Sequence, residues 1–154
     1  MLTQAELKSK LNYDPDTGVL TWVKTNKRAG CNDSSGYRTI GISGKKYKEH
    51  RVIWIYIYGI NPDYDLDHVN RIKNDNRINN LRCATEMQNA QNIIKAQKHS
   101  KTGILGVSPY KNIFQASIQV NGVRKHLGRF KNIDDAKSAY LKAKKELHIF
   151  CTSL

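Results

Sequence analysis

The chain has 154 residues, 39% of them hydrophobic, with 26 Lys and Arg against 13 Asp and Glu, a formal net charge of +13. That length suits one ordinary domain or two small ones, and a positive charge spread along the whole chain favours a polyanionic partner, nucleic acid first. Cys31, Cys83 and Cys151 lie far apart and form no CxxC pair, so neither structural zinc nor a disulfide framework is expected, and a reducing compartment fits best.

The opening "MLTQAELKSKLNYD" carries no apolar stretch of the signal-peptide kind, so a cytoplasmic setting is expected. "TQAELKSKL" reads as a short helix. Thr3 is its cap, Glu6 stands at capping-box spacing, and Leu7 and Leu11 share a face. "DPDTG" at 14–18 is a turn, and "VLTWV" at 19–23 alternates as a strand does. "YRTIGI" and "KKYKEH" flank Ser43-Gly44, a hairpin signal. "RVIWIYIYG" is compatible with a strand or with a buried helix ending at Gly59, and its apolar run is too short to span a bilayer. After a turn at Asn61-Pro62, a short extended piece carries Leu66 to Val69. "TEMQNAQNIIKAQ" at 85–97 looks helical, with Thr85 as cap and Met87, Ala90, Ile93 and Ile94 on one side.

"KHSKTG" at 98–103 reads as a polar, basic linker. Beyond it, "GVSPY", "FQASIQV" and "VRKHLGRF" form three short strands, the last two joined by Asn121-Gly122. "NIDDAKSAYLKAKKELH" is an amphipathic helix. Asp134 and Asp135 favour its start, Lys142, Lys144 and Lys145 favour its end, and its apolar stripe comprises Ala136, Ala139, Tyr140, Ala143 and Leu147. The expected division is 1–98, a linker at 99–103, and 104–154.

The chemistry concentrates in "LDHVNRIKNDNRINNL", residues 66–81. A carboxylate such as Asp67 is a hard oxygen ligand suited to Mg²⁺ or Mn²⁺. A neutral imidazole such as His68 can take a proton from water. Together they suit hydrolysis of a phosphate diester. The competing reading is a surface turn, where Asp, Asn and His are all common.

The wider order of landmarks favours the first reading. His50 precedes an aromatic-apolar run, then come Asp67-His68, "NNL" at 79–81, and Asn89. Residues 12–95 resemble HNH nucleases, in the variant whose last His is Asn, with phage and intron-encoded homing endonucleases nearest in texture. "YDPDTGVLTW" and "SSGYRTIGISGKKYKEHRVIW" resemble the segment before the motif in such proteins. The resemblance implies an α+β chain with a ββα-metal (His-Me finger) unit around one divalent cation. It implies Asp67 and Asn89 as metal ligands, His68 as general base, and Asn80 as the residue that orients His68 through its side-chain carbonyl. An amide oxygen is hard, so Mg²⁺ or Mn²⁺ is expected, not zinc. The resemblance also tips residues 51–58 towards helix and leaves His50 a secondary candidate, structural before catalytic. Asn70, Asn74, Asn76 and Asn79 are read as turn-capping loop residues without catalytic role. Arg71, Lys73, Arg77 and Arg82 can hold the DNA backbone, or form a solvated face.

Residues 103–150 resemble the AP2 domain, on "GVSPYKNIFQASIQVNGVRKHLGRF" and "DDAKSAYLKAKKELH". The resemblance implies a three-stranded antiparallel sheet in the DNA major groove with a helix behind it. Strand alternation places Phe114, Ala116, Ile118 and Val120 towards the helix, and Gln115, Ser117 and Gln119 towards DNA. Arg124, His126 and Arg129 join the latter, and Tyr110 stands near a position where family members carry Trp. His99 and His148 read as surface or DNA-facing residues.

The expected function is therefore a DNA endonuclease with double-stranded DNA as partner, in a phage-infected bacterial cell or another non-secreted setting. No protein partner or membrane is indicated, and a nicking monomer is expected. The rival from another class is a DNA-binding regulator with an inactive nuclease fold.

Overall fold

The structure, a computed structural model, describes residues 2–148 and 150–151; residues 1, 149 and 152–154, including the end of the expected 104–154 domain, lie outside the described residues. The chain divides into two compact units, Met1–Thr85 and Glu86–Leu154, each with its own core. The helix expected from Thr85 falls before the expected boundary at 98, whereas this division begins the second unit at Glu86.

In the first unit, helix α1 (Gln4–Lys10) starts where Thr3 Oγ1 accepts the Glu6 N–H at 3.2 Å. Only half the capping box forms, because the Glu6 carboxylate turns instead to Lys10 and Ser43. Strands β1 (Leu11–Asp14) and β2 (Val19–Trp22) pair across the 15–18 turn. Strands β3 (Cys31–Asn32), β4 (Arg38–Ile42) and β5 (Lys45–Lys48) make an antiparallel sheet. Its tight turn, at Ser43-Gly44, has φ of 49° and 77°, as a two-residue hairpin of right-handed twist requires.

Helix α2 (Glu49–Tyr58) resolves the ambiguous apolar run. Glu49, Val52, Ile53 and Tyr56 recur at helical spacing, and Gly59 closes the helix in the left-handed conformation, φ 75°. Gln4 Nε2 donates to the carbonyls of Tyr56 and Ile57, which the helix end leaves without intrahelical partners. Leu7, Leu11, Leu20, Ile40, Ile42, Val52 and Ile53 fill the core between these elements. Strands β6 (Asp65–His68) and β7 (Leu81–Ala84) form a separate antiparallel pair, preceded at β7 by a 3₁₀ turn, Ile78–Asn80.

The β1–β2 hairpin buttresses the loop between β6 and β7. Tyr13 Oη donates to the Asn76 carbonyl and accepts the Ile78 N–H, at 3.1 and 2.8 Å. Gly18, with φ 71°, lies so close that an added Cβ would stand 2.4 Å from Arg77 N. Gly18→Ala is therefore expected to destabilise the protein by about 1–3 kcal/mol, through both strain and backbone displacement. A urea titration checks this; an unchanged midpoint would refute the packing.

In the second unit, helix α3 (Glu86–Asn92) ends five residues before the expected position 97, and Met87, Ile93 and Ile94 are exposed. Strands β8 (Val107–Tyr110), β9 (Ile113–Val120) and β10 (Val123–Phe130) form the antiparallel sheet, ordered β10-β9-β8. Helix α4 (Ile133–Leu147) covers one face. Ala116 and Ile118 meet Ala136, Tyr140 and Ala143 there, with Phe114, Val120 and Leu147 at the margin. Gly106 makes room for the Tyr140 ring: a Cβ there would stand 2.0 Å from it. Lys144, expected near the end of the helix, and His148, expected at the surface or facing DNA, are both buried. They reach the carbonyls of Ile93 and Gln119 respectively.

Candidate active site and nucleic-acid face

Along β6 the side chains alternate, so Asp67 and His68 leave the strand on opposite faces. Register sets Asp67 opposite Arg82 and His68 opposite Leu81. The Arg82 guanidinium donates to Asp67 Oδ2 through Nη2 at 2.8 Å and Nε at 3.1 Å. Both side chains are mostly covered, so this pair is less screened than a surface one.

His68 is 4% exposed. Its Nε2 stands 3.0 Å from Asn76 Oδ1, and Asn76 is 1% exposed. The His50 ring meets it edge-on with centroids 5.2 Å apart, and Tyr37 contacts both imidazoles. Lys48 and Lys73 hold their ammonium groups 4.7 and 4.8 Å from the Tyr37 ring centroid. Lys48 also pairs with Asp33, and Lys73 donates to the Ser35 carbonyl.

Burial drives the His50 pKa down to about 3, and the neighbouring His68 pushes in the same direction. His50 is thus neutral near pH 7. Its depressed folded value means the unfolded chain binds the proton more readily below the ordinary 6.5. Stability is present above that value and is lost as pH falls through the window from 6.5 towards 3. The loss approaches ~1.4 kcal/mol per pH unit in that window. His50→Gln is expected to flatten the slope, read as the difference between parent and variant in urea unfolding at several pH values. Equal slopes would show that His50 is not held neutral.

The loop from 69 to 80 is tied by side chains. Asn80 Oδ1 accepts the Asn70 N–H, and its Nδ2 donates to Asn70 Oδ1 and to the Asp75 carbonyl. The Asn80 carbonyl accepts the Val69 N–H. Asn80 thus grips the two residues that follow His68. Asn70 Oδ1 also caps Ile72 N, and its Nδ2 donates to Asp75. The left-handed position in this loop is Arg71, φ 64°, not an asparagine; its N–H closes a turn onto the His68 carbonyl. Arg77 engages Asp75 through both Nε and Nη2, and this contact first, then Asn70, holds the Asp75 carboxyl down to about 2. Of Arg71, Lys73, Arg77 and Arg82, the last two therefore hold carboxylates within the unit.

Asn76 was not singled out by the sequence, because one asparagine among several in a polar loop carries no mark of burial. Tyr37 gave no signal either; only the register of β4 and α2 brings it against the two histidines.

The second unit gathers the other expected residues on one sheet face. Register sets Gln119 opposite Arg124, Ser117 opposite His126, and Gln115 opposite Arg129, with a bulge between His126 and Gly128. Paired residues share a face, and Gln119, Arg124, His126 and Arg129 are exposed. The Arg129 guanidinium lies 4.1 Å from the Tyr110 ring centroid, and Gln115 Nε2 donates to Ser108 Oγ.

Asn89 lies on α3, with Oδ1 buried and without a hydrogen-bond partner among the described residues. An orphaned amide oxygen suits a hard cation. Among the described residues no three His, Cys, Asp or Glu side chains are grouped to hold a metal. No helix there is long and apolar enough to cross a membrane.

Residues 47–91 match a family model described as HNH endonuclease. No curated protein sequence matches the chain. A solved structure titled "DNA binding and cleavage by the HNH homing endonuclease I-HmuI" is similar at a TM-score of 0.45 and 20% identity, covering 84% of this chain and 76% of that one.

Proposed function

We propose that the protein is a DNA endonuclease of the HNH homing type that hydrolyses phosphodiester bonds with one divalent ion. The observation that supports it is the family match over 47–91, which contains His68, buried and hydrogen-bonded at the end of β6 beside Asp67. Asp67 is the carboxylate donor and Asn89 the amide donor that would hold Mg²⁺ or Mn²⁺. Two protein oxygens are few, which fits a small hard cation that keeps several waters. When bound, the ion supplies positive charge against the phosphate.

His68 then acts as general base and takes a proton from the attacking water. Asn80 orients it by fixing the backbone at Val69 and Asn70. Arg71 and Lys73 are proposed to hold DNA phosphates, with Arg77 and Arg82 contributing charge from within their ion pairs. The face carrying Tyr110, Gln115, Ser117, Gln119, Arg124, His126 and Arg129 is proposed to meet the major groove of double-stranded DNA in the AP2 manner. Gln suits adenine and Arg suits guanine there. One copy with one site would nick a single strand.

A second reading is a DNA-binding regulator without catalysis. The Arg82–Asp67 ion pair favours it, because the guanidinium already supplies positive charge to that carboxylate. Supercoiled plasmid incubated with the protein in Mg²⁺, beside an EDTA control, separates the two. Nicking that depends on Mg²⁺ is expected; none at several protein levels would favour the regulator. Either reading expects DNA affinity to drop ~10³–10⁵-fold between roughly 50 and 200 mM salt, for ~6–10 phosphate contacts. Salt-independent binding in a gel-shift series would contradict both.

A further inference from the structure

We propose that Asn76 is the positioning residue that selects the tautomer of His68, so that Nε2 carries the hydrogen and Nδ1 is the nitrogen that accepts a proton. This rests on reading His68 as the general base, and deepens it by naming the atom and the residue that prepares it.

Arg38 and Glu49 form a buried ion pair, Nε to Oε2 at 2.7 Å. Arg38 Nη2 also donates to the carbonyls of Ala29 and Gly30, which fixes the guanidinium and with it the carboxylate. Burial raises the Glu49 pKa, while Arg38 and then the Asn76 amide oppose that rise and favour the ionised form. Glu49 Oε1 and Asn76 Nδ2 are both buried and neither makes a hydrogen bond of good geometry. The Asn76 oxygen stands at His68, and an amide nitrogen can only donate, so the amide's pull on the Glu49 carboxyl agrees with one order: nitrogen towards the carboxylate, oxygen towards His68.

That order decides the rest. An amide oxygen has no hydrogen to give. The ring nitrogen 3.0 Å from it, Nε2, must therefore be the donor. A neutral imidazole with hydrogen on Nε2 has its basic lone pair on Nδ1. The loop cannot easily drift from this arrangement. Tyr13 Oη grips the Asn76 carbonyl and Ile78 N–H, and the Gly18 backbone closes against Asn76 and Arg77. The hairpin at the start of the chain thus serves the imidazole by holding its partner.

The test is nitrogen-15 NMR of histidine side chains in the full-length protein, with the His68 signal assigned by its absence in His68→Gln. At a pH where the ring is neutral, the two-bond coupling pattern is expected to report hydrogen on Nε2. Hydrogen on Nδ1 would overturn the proposal, and this measurement needs no substitution at Asn76. Asn76→Asp supplies the second arm. A carboxylate in the same place can only accept a hydrogen bond, so the coupling pattern should keep hydrogen on Nε2; hydrogen on Nδ1 in the folded variant would also overturn the proposal. Asn76→Ala is expected to slow single-turnover nicking ~10–100-fold with DNA affinity retained. Should the coupling pattern hold while no plasmid is nicked in Mg²⁺, the tautomer assignment stands and the nuclease reading falls.

Discussion

His68→Ala is expected to lower the single-turnover nicking rate by ~10²–10⁴-fold while leaving DNA affinity in place. The imidazole is buried under Tyr37, His50 and Asn76, so it supplies no surface contact that would hold a phosphate. The charges proposed to attract DNA stand elsewhere, on Arg71 and Lys73 and on Arg124 and Arg129 of the second unit. Loss of a proton acceptor thus separates from loss of binding. Truncation also leaves a cavity, and the lost packing costs stability. His68→Gln, closer in volume, is the companion variant, with thermal unfolding measured for both. A folded His68→Ala protein that cuts plasmid in Mg²⁺ as fast as the parent would remove His68 from the reaction.

Much of this arrangement is legible in the residues, for local physical reasons. Ser43-Gly44 and Asn121-Gly122 both sit at positive φ, which few residue pairs tolerate, so the two hairpins announce themselves. The alternation of β9 separates Phe114, Ala116, Ile118 and Val120 from Gln115, Ser117 and Gln119 without any knowledge of the partner strand. The run at 51–58 is different. Its pattern admits either element, and only packing against α1, with the left-handed Gly59, decides for helix. The helix from Thr85 stops at Asn92 although Ile93 and Ile94 continue the apolar spacing. Those two side chains stay exposed, so no burial rewards extending it. Within the candidate site, the Asp67–His68 pair was visible as chemistry, but its environment was not. Asn76 differs from Asn70, Asn74 and Asn79 only in being sealed beneath Tyr13 and Gly18, a long-range consequence of the β1–β2 hairpin. His148 is buried against its surface expectation for a related reason: helical spacing shows which residues share a side, but not where that side closes over a polar one.

Glu49→Ala is expected to destabilise the first unit by about 3–5 kcal/mol, because it leaves the Arg38 guanidinium buried without its counter-charge. Arg38 is 7% exposed and Glu49 is fully buried, so water cannot replace the lost partner cheaply. The penalty belongs to the unpaired ion more than to the pair itself. A double variant, Arg38→Met with Glu49→Leu, should therefore recover most of the loss, since apolar residues of similar volume fill the site without charge. Urea unfolding of the two proteins checks this, and a double variant no more stable than Glu49→Ala would refute the account. The pair also has a consequence for chemistry that the stability measurement cannot see. With the carboxylate gone, nothing orders the Asn76 amide, and its oxygen and nitrogen can exchange places beside His68. The refolded double variant should accordingly be stable yet slow to nick, with a mixed His68 tautomer. A double variant that nicked at the parent rate would show that the ion pair serves the fold alone.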